Sequence, residues 1–130
     1  MKNALEMANT EINKIQILEL YDQSTLLEML ALEDLGISKK GKAWLDIYNS
    51  CKDYDGFYQI DGKKIYVNTN GGLKADGNPL GATGGAQIVE LVKQLKGEAG
   101  ERQVENVQLG CALEFEGFGT KAYVHILRGN

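Results

Sequence analysis

Asn68-Thr-Asn-Gly-Gly-Leu-Lys-Ala-Asp-Gly-Asn-Pro-Leu-Gly-Ala-Thr-Gly-Gly85 holds six of the sixteen glycines of this 130-residue chain and its only proline. Glycine at that density points to close backbone approach more than to looseness, because a residue without Cβ allows a second chain to pass where any other would clash. Directly after it, Ala86, Ile88, Val89, Leu91, Val92 and Leu95 keep helical spacing as far as Gly97. The small residues before that helix let it start against another backbone.

Upstream, Phe57-Tyr-Gln-Ile60 and Lys63-Lys-Ile-Tyr-Val67 flank Asp61-Gly62, a dipeptide that tolerates the positive φ angles of a tight hairpin. The segment from Ser38 to Tyr58 has no clear period and carries Lys39-Lys40, Asp53 and Asp55-Gly56. It is expected to be an exposed excursion (residues 38–58), pinned down by Trp44, Ile47 and Tyr48 as a short amphipathic turn or helix. Thr25 stands three residues before Glu28 at the head of an apolar run, a capping-box spacing that predicts a helix from Thr25 to Leu35, ended by Gly36 in a left-handed conformation.

Ile15-Gln-Ile-Leu-Glu-Leu-Tyr21 is mostly apolar and partly β-branched, as in a buried strand, and Lys2 to Ala8 has helical spacing. Downstream, Val104 to Phe115 and Thr120 to Leu127 are predicted strands joined around Gly117 and Gly119. Alternation of helices and strands along the chain predicts an α/β fold.

Composition narrows the function classes. With 43% apolar and 25% charged residues, the chain fits one globular domain over residues 1–130. Net charge is −4 without a basic run, which argues against a phosphate-backbone partner. The first thirteen residues interrupt their apolar positions with Lys2, Asn3, Glu6, Asn9 and Glu11, so they lack a signal-peptide core, and no stretch approaches membrane-spanning length. Cys51 and Cys111 form no metal-ligand or redox spacing; two free thiols in a reducing cytoplasm are expected, with one disulfide left open.

Three segments taken together resemble the C-terminal domain of sterol-carrier-type and archaeal thiolases. These are Ile17-Leu-Glu-Leu-Tyr-Asp-Gln-Ser-Thr25, Val67 to Gly72 with Gly77-Asn-Pro-Leu-Gly-Ala-Thr-Gly84, and Leu95-Lys-Gly-Glu-Ala-Gly100 with the Gly117/Gly119 turn. They occur in the family's order over nearly the whole chain. The resemblance implies a five-stranded mixed sheet with helices on both faces, one of the two similar halves of a complete thiolase (acetyl-CoA acetyltransferase). The other half, which brings the acylated cysteine, is absent from this sequence. A split gene product is expected from the Met1 start at a domain edge, although a shortened piece would look the same.

Site residues carry over one at a time. The family has histidine before Asp22, where this chain has Tyr21; a phenol, ordinarily near pKa 10, donates a hydrogen bond but is a poor base at neutral pH. The second family histidine, in Gly-His-Pro, is replaced by Asn78 between Gly77 and Pro79; an amide keeps a donor and cannot take up a proton. The third catalytic position corresponds to Leu113, which cannot exchange one. Cys111 shares a strand face with Leu113 but lies about 6–7 Å away along the strand, too far to substitute, and is expected to be a buried core thiol. Glu114 and Glu116 replace an Asn and a Gly and are expected to turn to solvent. His125, the only histidine, is remote from these motifs.

Asn68, Gly71, Gly72, Gly77, Pro79, Gly81, Gly84, Gly117 and Gly119 survive as scaffold, with Asp22, Asn68, Gly71, Gly72, Gly81, Gly117 and Gly119 as candidate binding positions. Together these imply a subunit or binding module, inactive alone, that docks onto a thiolase N-terminal-half chain or onto itself. Alternatives are a split acyl-CoA C-acyltransferase or thiolase-like aldolase completed by a partner, and acyl-CoA or lipid binding of the lipid-transfer kind without chemistry. No metal or cofactor is implied; acyl-CoA is the candidate ligand.

Overall fold

A computed structural model describes residues 1–52, 57–60, 62–117 and 119–130. Its elements are α1 (Lys2–Met7), β1 (Ile17–Leu20), α2 (Thr25–Asp34), α3 (Ala43–Lys52), β2 (Phe57–Ile60), β3 (Lys63–Val67), α4 (Gly72–Asp76), α5 (Thr83–Lys96), β4 (Leu109–Glu116) and β5 (Lys121–Arg128). Short 3-10 turns occupy Ile12–Lys14, Leu80–Ala82 and Gly100–Arg102.

The strands form one mixed sheet in the order β2-β3-β1-β4-β5. β1 lies at its centre, parallel to β3 and β4, and the two edge strands are antiparallel to their neighbours. All four β1 residues are buried, as expected of a parallel strand covered on both faces. Side chains alternate between the faces. Leu18, Leu20, Cys111 and Leu113 pack with Ala31, Leu32 and Leu35 of the α2 layer, while Ile17 and Ala112 pack with Leu91 under α5.

Several local expectations need correction. The cap of α2 is Ser24, whose Oγ accepts from Leu27 N–H at 3.3 Å, so Thr25 is already the first helical residue. Glu28 does not fold back to complete a capping box; the residue is buried and its carboxylate pairs with Lys74. A buried acid with a cation in reach gains more from that pair than from a solvated N–H. Gly36 ends the segment at φ +77°, the left-handed geometry expected there.

The 38–58 excursion carries a full helix, α3, and buries Ser38 and Ala43. Trp44 and Tyr48 do not pin it: they are 58% and 62% exposed, and Ile47 is the member of the trio that packs on the core. Asp53, Asp55 and Gly56 lie outside the described residues, as does Asp61 of the hairpin turn; Gly62 adopts φ +76°. α5 starts three residues earlier than the apolar period, at Thr83, and β4 starts at Leu109, five residues later than expected. Both cysteines are free, Cys51 exposed and Cys111 buried.

Candidate functional site

Parallel β1 delivers its C-terminal end, Tyr21 and Asp22, to the edge of the sheet where the glycine-rich segment crosses. That crossing is held by side chains that stand in for backbone. Asn68, at φ +48°, accepts from Leu20 N–H at 2.7 Å and donates to Leu20 C=O at 3.2 Å, extending the β3–β1 ladder by one rung. Asp22, 1% exposed, accepts from Leu73 N–H at 2.7 Å, and Lys74 Nζ lies 3.8 Å from its other oxygen.

Gly72 sits against this pair at φ +62°; a Cβ there would fall 2.6 Å from Asp22 Oδ1 and 2.7 Å from Asn68 Nδ2. Gly71, at φ +99°, leaves room for Ala75 in the same way. These positions are therefore occupied with holding the loop.

The loop then brings Asn78 to Tyr21. Asn78 Nδ2 donates to the Tyr21 hydroxyl at 3.2 Å, and that hydroxyl donates to Gln23 Oε1 at 3.0 Å. Asn78 Oδ1 is taken by Leu80 N–H at 2.9 Å and by the Thr83 hydroxyl at 3.4 Å, so its orientation is fixed. The Tyr21 ring is held edge-on by Phe115, centroids 6.2 Å apart. Tyr21 and Asn78 thus face one open cleft of about 410 Å3, with Gly81, Glu114 and Gly117 also on its wall.

Leu113 does not reach that cleft. It is 4% exposed in the α2-side core, beside Cys111, and contributes only its carbonyl, which accepts from Gln87 Nε2 at 3.2 Å. Strand alternation turns its neighbour Glu114 toward the cleft instead, where the carboxylate fills the space a Gly84 Cβ would occupy. Glu116 lines the same open cleft; it is exposed as expected, whereas Glu114 is half-buried. The Glu116 carboxylate takes Lys121 Nζ at 3.1 Å and the Tyr123 hydroxyl at 2.8 Å, and is held below the usual carboxylate range by them.

Burial pushes the Cys111 thiol up to about 12, so it carries no thiolate at neutral pH. His125 lies exposed on β5 opposite Ala112. Gly119, at φ +85°, serves the β4–β5 turn.

Sequence reading missed a polar layer under α5. Glu90 and Gln94, 4% and 1% exposed, meet Arg102, whose Nη2 and Nε donate to Glu90 at 2.9 and 3.3 Å. Gln94 Nε2 also donates to Thr69 Oγ1 at 3.2 Å and Arg102 C=O at 2.8 Å, tying the helix end to the loop start. Burial raises the Glu90 pKa, but the Arg102 and Gln94 hydrogen bonds outweigh it and leave it lowered. Glu19, inside the central strand, belongs to the same layer. Its signal was available: one acid within an otherwise apolar strand. Among the described residues no group of three or more His, Cys, Asp or Glu gathers to hold a metal ion, and no helix is long and apolar enough to cross a membrane.

Residues 1–129 match the family described as Thiolase C-terminal domain-like. An acetyl-CoA acetyltransferase of Methanothermobacter thermautotrophicus is 45% identical over 125 residues, 96% of this chain and 31% of the relative. One of Methanocaldococcus jannaschii is 37% identical, covering 97% of this chain and 32% of the relative. Human sterol carrier protein 2 is 36% identical over 108 residues, 83% of this chain and 18% of that protein. The chain thus spans about a third or less of the length of these relatives.

Proposed function

Because this chain belongs to the thiolase C-terminal domain-like family, we propose that it is a non-catalytic thiolase-like subunit or binding module. It associates with a chain carrying the N-terminal half of a thiolase, or with a second copy of itself, and contributes to an acyl-CoA site. The observation that carries this reading is the cleft itself. Tyr21 and Asn78 meet at 3.2 Å at the two positions where the resemblance implies histidines, and among the described residues neither an imidazole nor a thiol is on its wall. The second N–H of Asn78 remains for a thioester oxygen, and the Tyr21 hydroxyl joins it only by leaving Gln23, while the base that activates a nucleophile has no counterpart. Glu114 on the same wall adds an acid near any anionic ligand, which further disfavours turnover by this chain unaided.

Association is supported by apolar side chains that α5 and the turn before it leave uncovered: Leu80 and Val89 are 76% and 54% exposed. Light scattering across a concentration series is expected to show either self-association or a complex with an N-terminal-half thiolase chain. A monomer at every concentration that also ignores such a chain overturns the association.

The second reading, a split acyltransferase or aldolase, draws on the same contact: the second Asn78 N–H serves as an oxyanion donor, joined by the Tyr21 hydroxyl when it turns away from Gln23. It predicts that the complex converts acetyl-CoA to acetoacetyl-CoA or cleaves acetoacetyl-CoA, and that Tyr21→Phe and Asn78→Ala each cost about tenfold or more in kcat without loss of partner binding. A silent complex rejects it and leaves the non-catalytic reading standing. Turnover by the 130-residue chain alone rejects both.

A further inference from the structure

Glu19 is 1% exposed on the α5 face of β1, and its Oε1 has no hydrogen-bond partner. Oε1 of Gln87, 5% exposed on α5, has none either. Both residues line a cavity of about 280 Å3 roofed by the glycine-rich loop, with Leu20, Leu73 and Ala86 on its walls and the exposed Asp76 beside them. Among the described residues it shares only Asn78 with the Tyr21 cleft. Buried oxygens without donors are uncommon in folded proteins, and where they face a cavity the missing donor belongs to its contents. Among the described residues the wall carries two carboxyl groups, Glu19 and Asp76, and no lysine, arginine or histidine. A fitting guest brings N–H donors, a short apolar body and no negative charge.

We propose that this cavity binds a small primary ammonium on a short hydrocarbon chain, its three N–H donors meeting the oxygens of Glu19, Gln87 and Asp76. A neutral amide satisfies the oxygens but not the charge, and a carboxylate is repelled.

The proton balance follows from what surrounds Glu19. Burial, then Glu90 from α5, then Asp22 beyond β1 and Asp76 from α4 raise its pKa to about 8, against a hydrogen bond from Asn70; Arg102 faces it from the 100–102 turn and Lys74 neutralises Asp22 from α4. At neutral pH the free site is protonated. Entry of the ammonium leaves Glu19 as carboxylate and releases its proton to solvent, while the amine, with a pKa near that of lysine at about 10.4, stays charged. Linkage then makes affinity climb with pH by up to about tenfold per unit and level off above pH 8.

The test is an NMR titration of the 130-residue chain with n-butylammonium, butyramide and butyrate at pH 6, 7, 8 and 9. Expected are saturable shifts at the amides of Leu20, Leu73 and Ala86, tighter binding of the ammonium at pH 8 than at pH 6 by at least about tenfold, and weaker or no binding of butyramide and butyrate. Glu19→Gln is expected to remove the pH dependence and weaken binding. Ala86→Leu, which fills the cavity from a helix surface position, is expected to abolish binding without involving Glu19. Absence of saturable shifts at pH 8, equal binding of butyramide, or ammonium binding unchanged by either substitution overturns the assignment.

Discussion

Gly72→Val is expected to lower the unfolding free energy by about 3 kcal/mol, read from the urea midpoint at constant m-value. Two costs add at one position. A β-branched residue at φ +62° is held in a region L-residues avoid, costing about 1–3 kcal/mol. Its Cβ also displaces the Asp22 carboxylate, which is buried and accepts from Leu73 N–H, and a buried acceptor parted from its donor costs about 1–3 kcal/mol more. Gly85→Val makes a useful control, because that position is helical, has negative φ and a Cβ there meets nothing within 4 Å. It should cost well under half as much; equal losses at the two sites would mean that the Asp22 contact contributes little.

The second large effect is a pH dependence of stability set by Glu19. Its carboxyl titrates near 8 in the folded chain, against an ordinary value of 4.5. Because the folded value is the higher one, the protonated fold holds its full advantage below about pH 4.5 and loses it as pH rises through 8. Each pKa unit corresponds to about 1.4 kcal/mol, so the loss across this window approaches about 4 kcal/mol. Glu19→Gln, which keeps the shape and cannot ionise, is expected to be flat in that component and to exceed the parent in stability at pH 8. The Glu90–Arg102 pair acts in the opposite sense, losing its contribution as pH falls through the lowered Glu90 value. Comparing Glu19→Gln with the parent cancels it. Parallel stability curves for the two proteins from pH 5 to 8.5 would show that Glu19 is not protonated in the fold.

Much of the architecture was legible because period and punctuation coincide. Gly36, the Gly62 turn and Gly97 mark their elements in both sequence and structure, and the strand read from Ile15 to Tyr21 is present over Ile17–Leu20. The misplaced boundaries share a cause. Thr25 and Glu28 match a capping-box spacing, but Lys74, forty-six residues away, captures Glu28, a choice no local window can register. α5 begins within Thr83-Gly-Gly because Leu80 C=O and Asn78 Oδ1 take the Thr83 hydroxyl, a tertiary arrangement that overrides glycine's poor helix propensity.

In the site, Tyr21 and Asn78 were placed by motif and meet in space, whereas Leu113 was one residue out of phase with the cleft. On a strand, one residue is the difference between core and site, and Glu114 holds the position facing Tyr21's cleft. The polar layer of Glu19, Gln87, Glu90 and Gln94 went unread because helix and strand place these side chains against each other only after the sheet has formed.

The contrast between the two thiols has a practical corollary. Cys111 is sealed at 0% exposure with its thiol pushed up to about 12, while Cys51 stands open on the last turn of α3. A maleimide dye should therefore attach once per molecule, at a helix remote in sequence from the glycine-rich loop, with no engineered labelling position needed. The native chain carries its own fluorescence handle for following assembly, and a second equivalent of dye would report opening of the core.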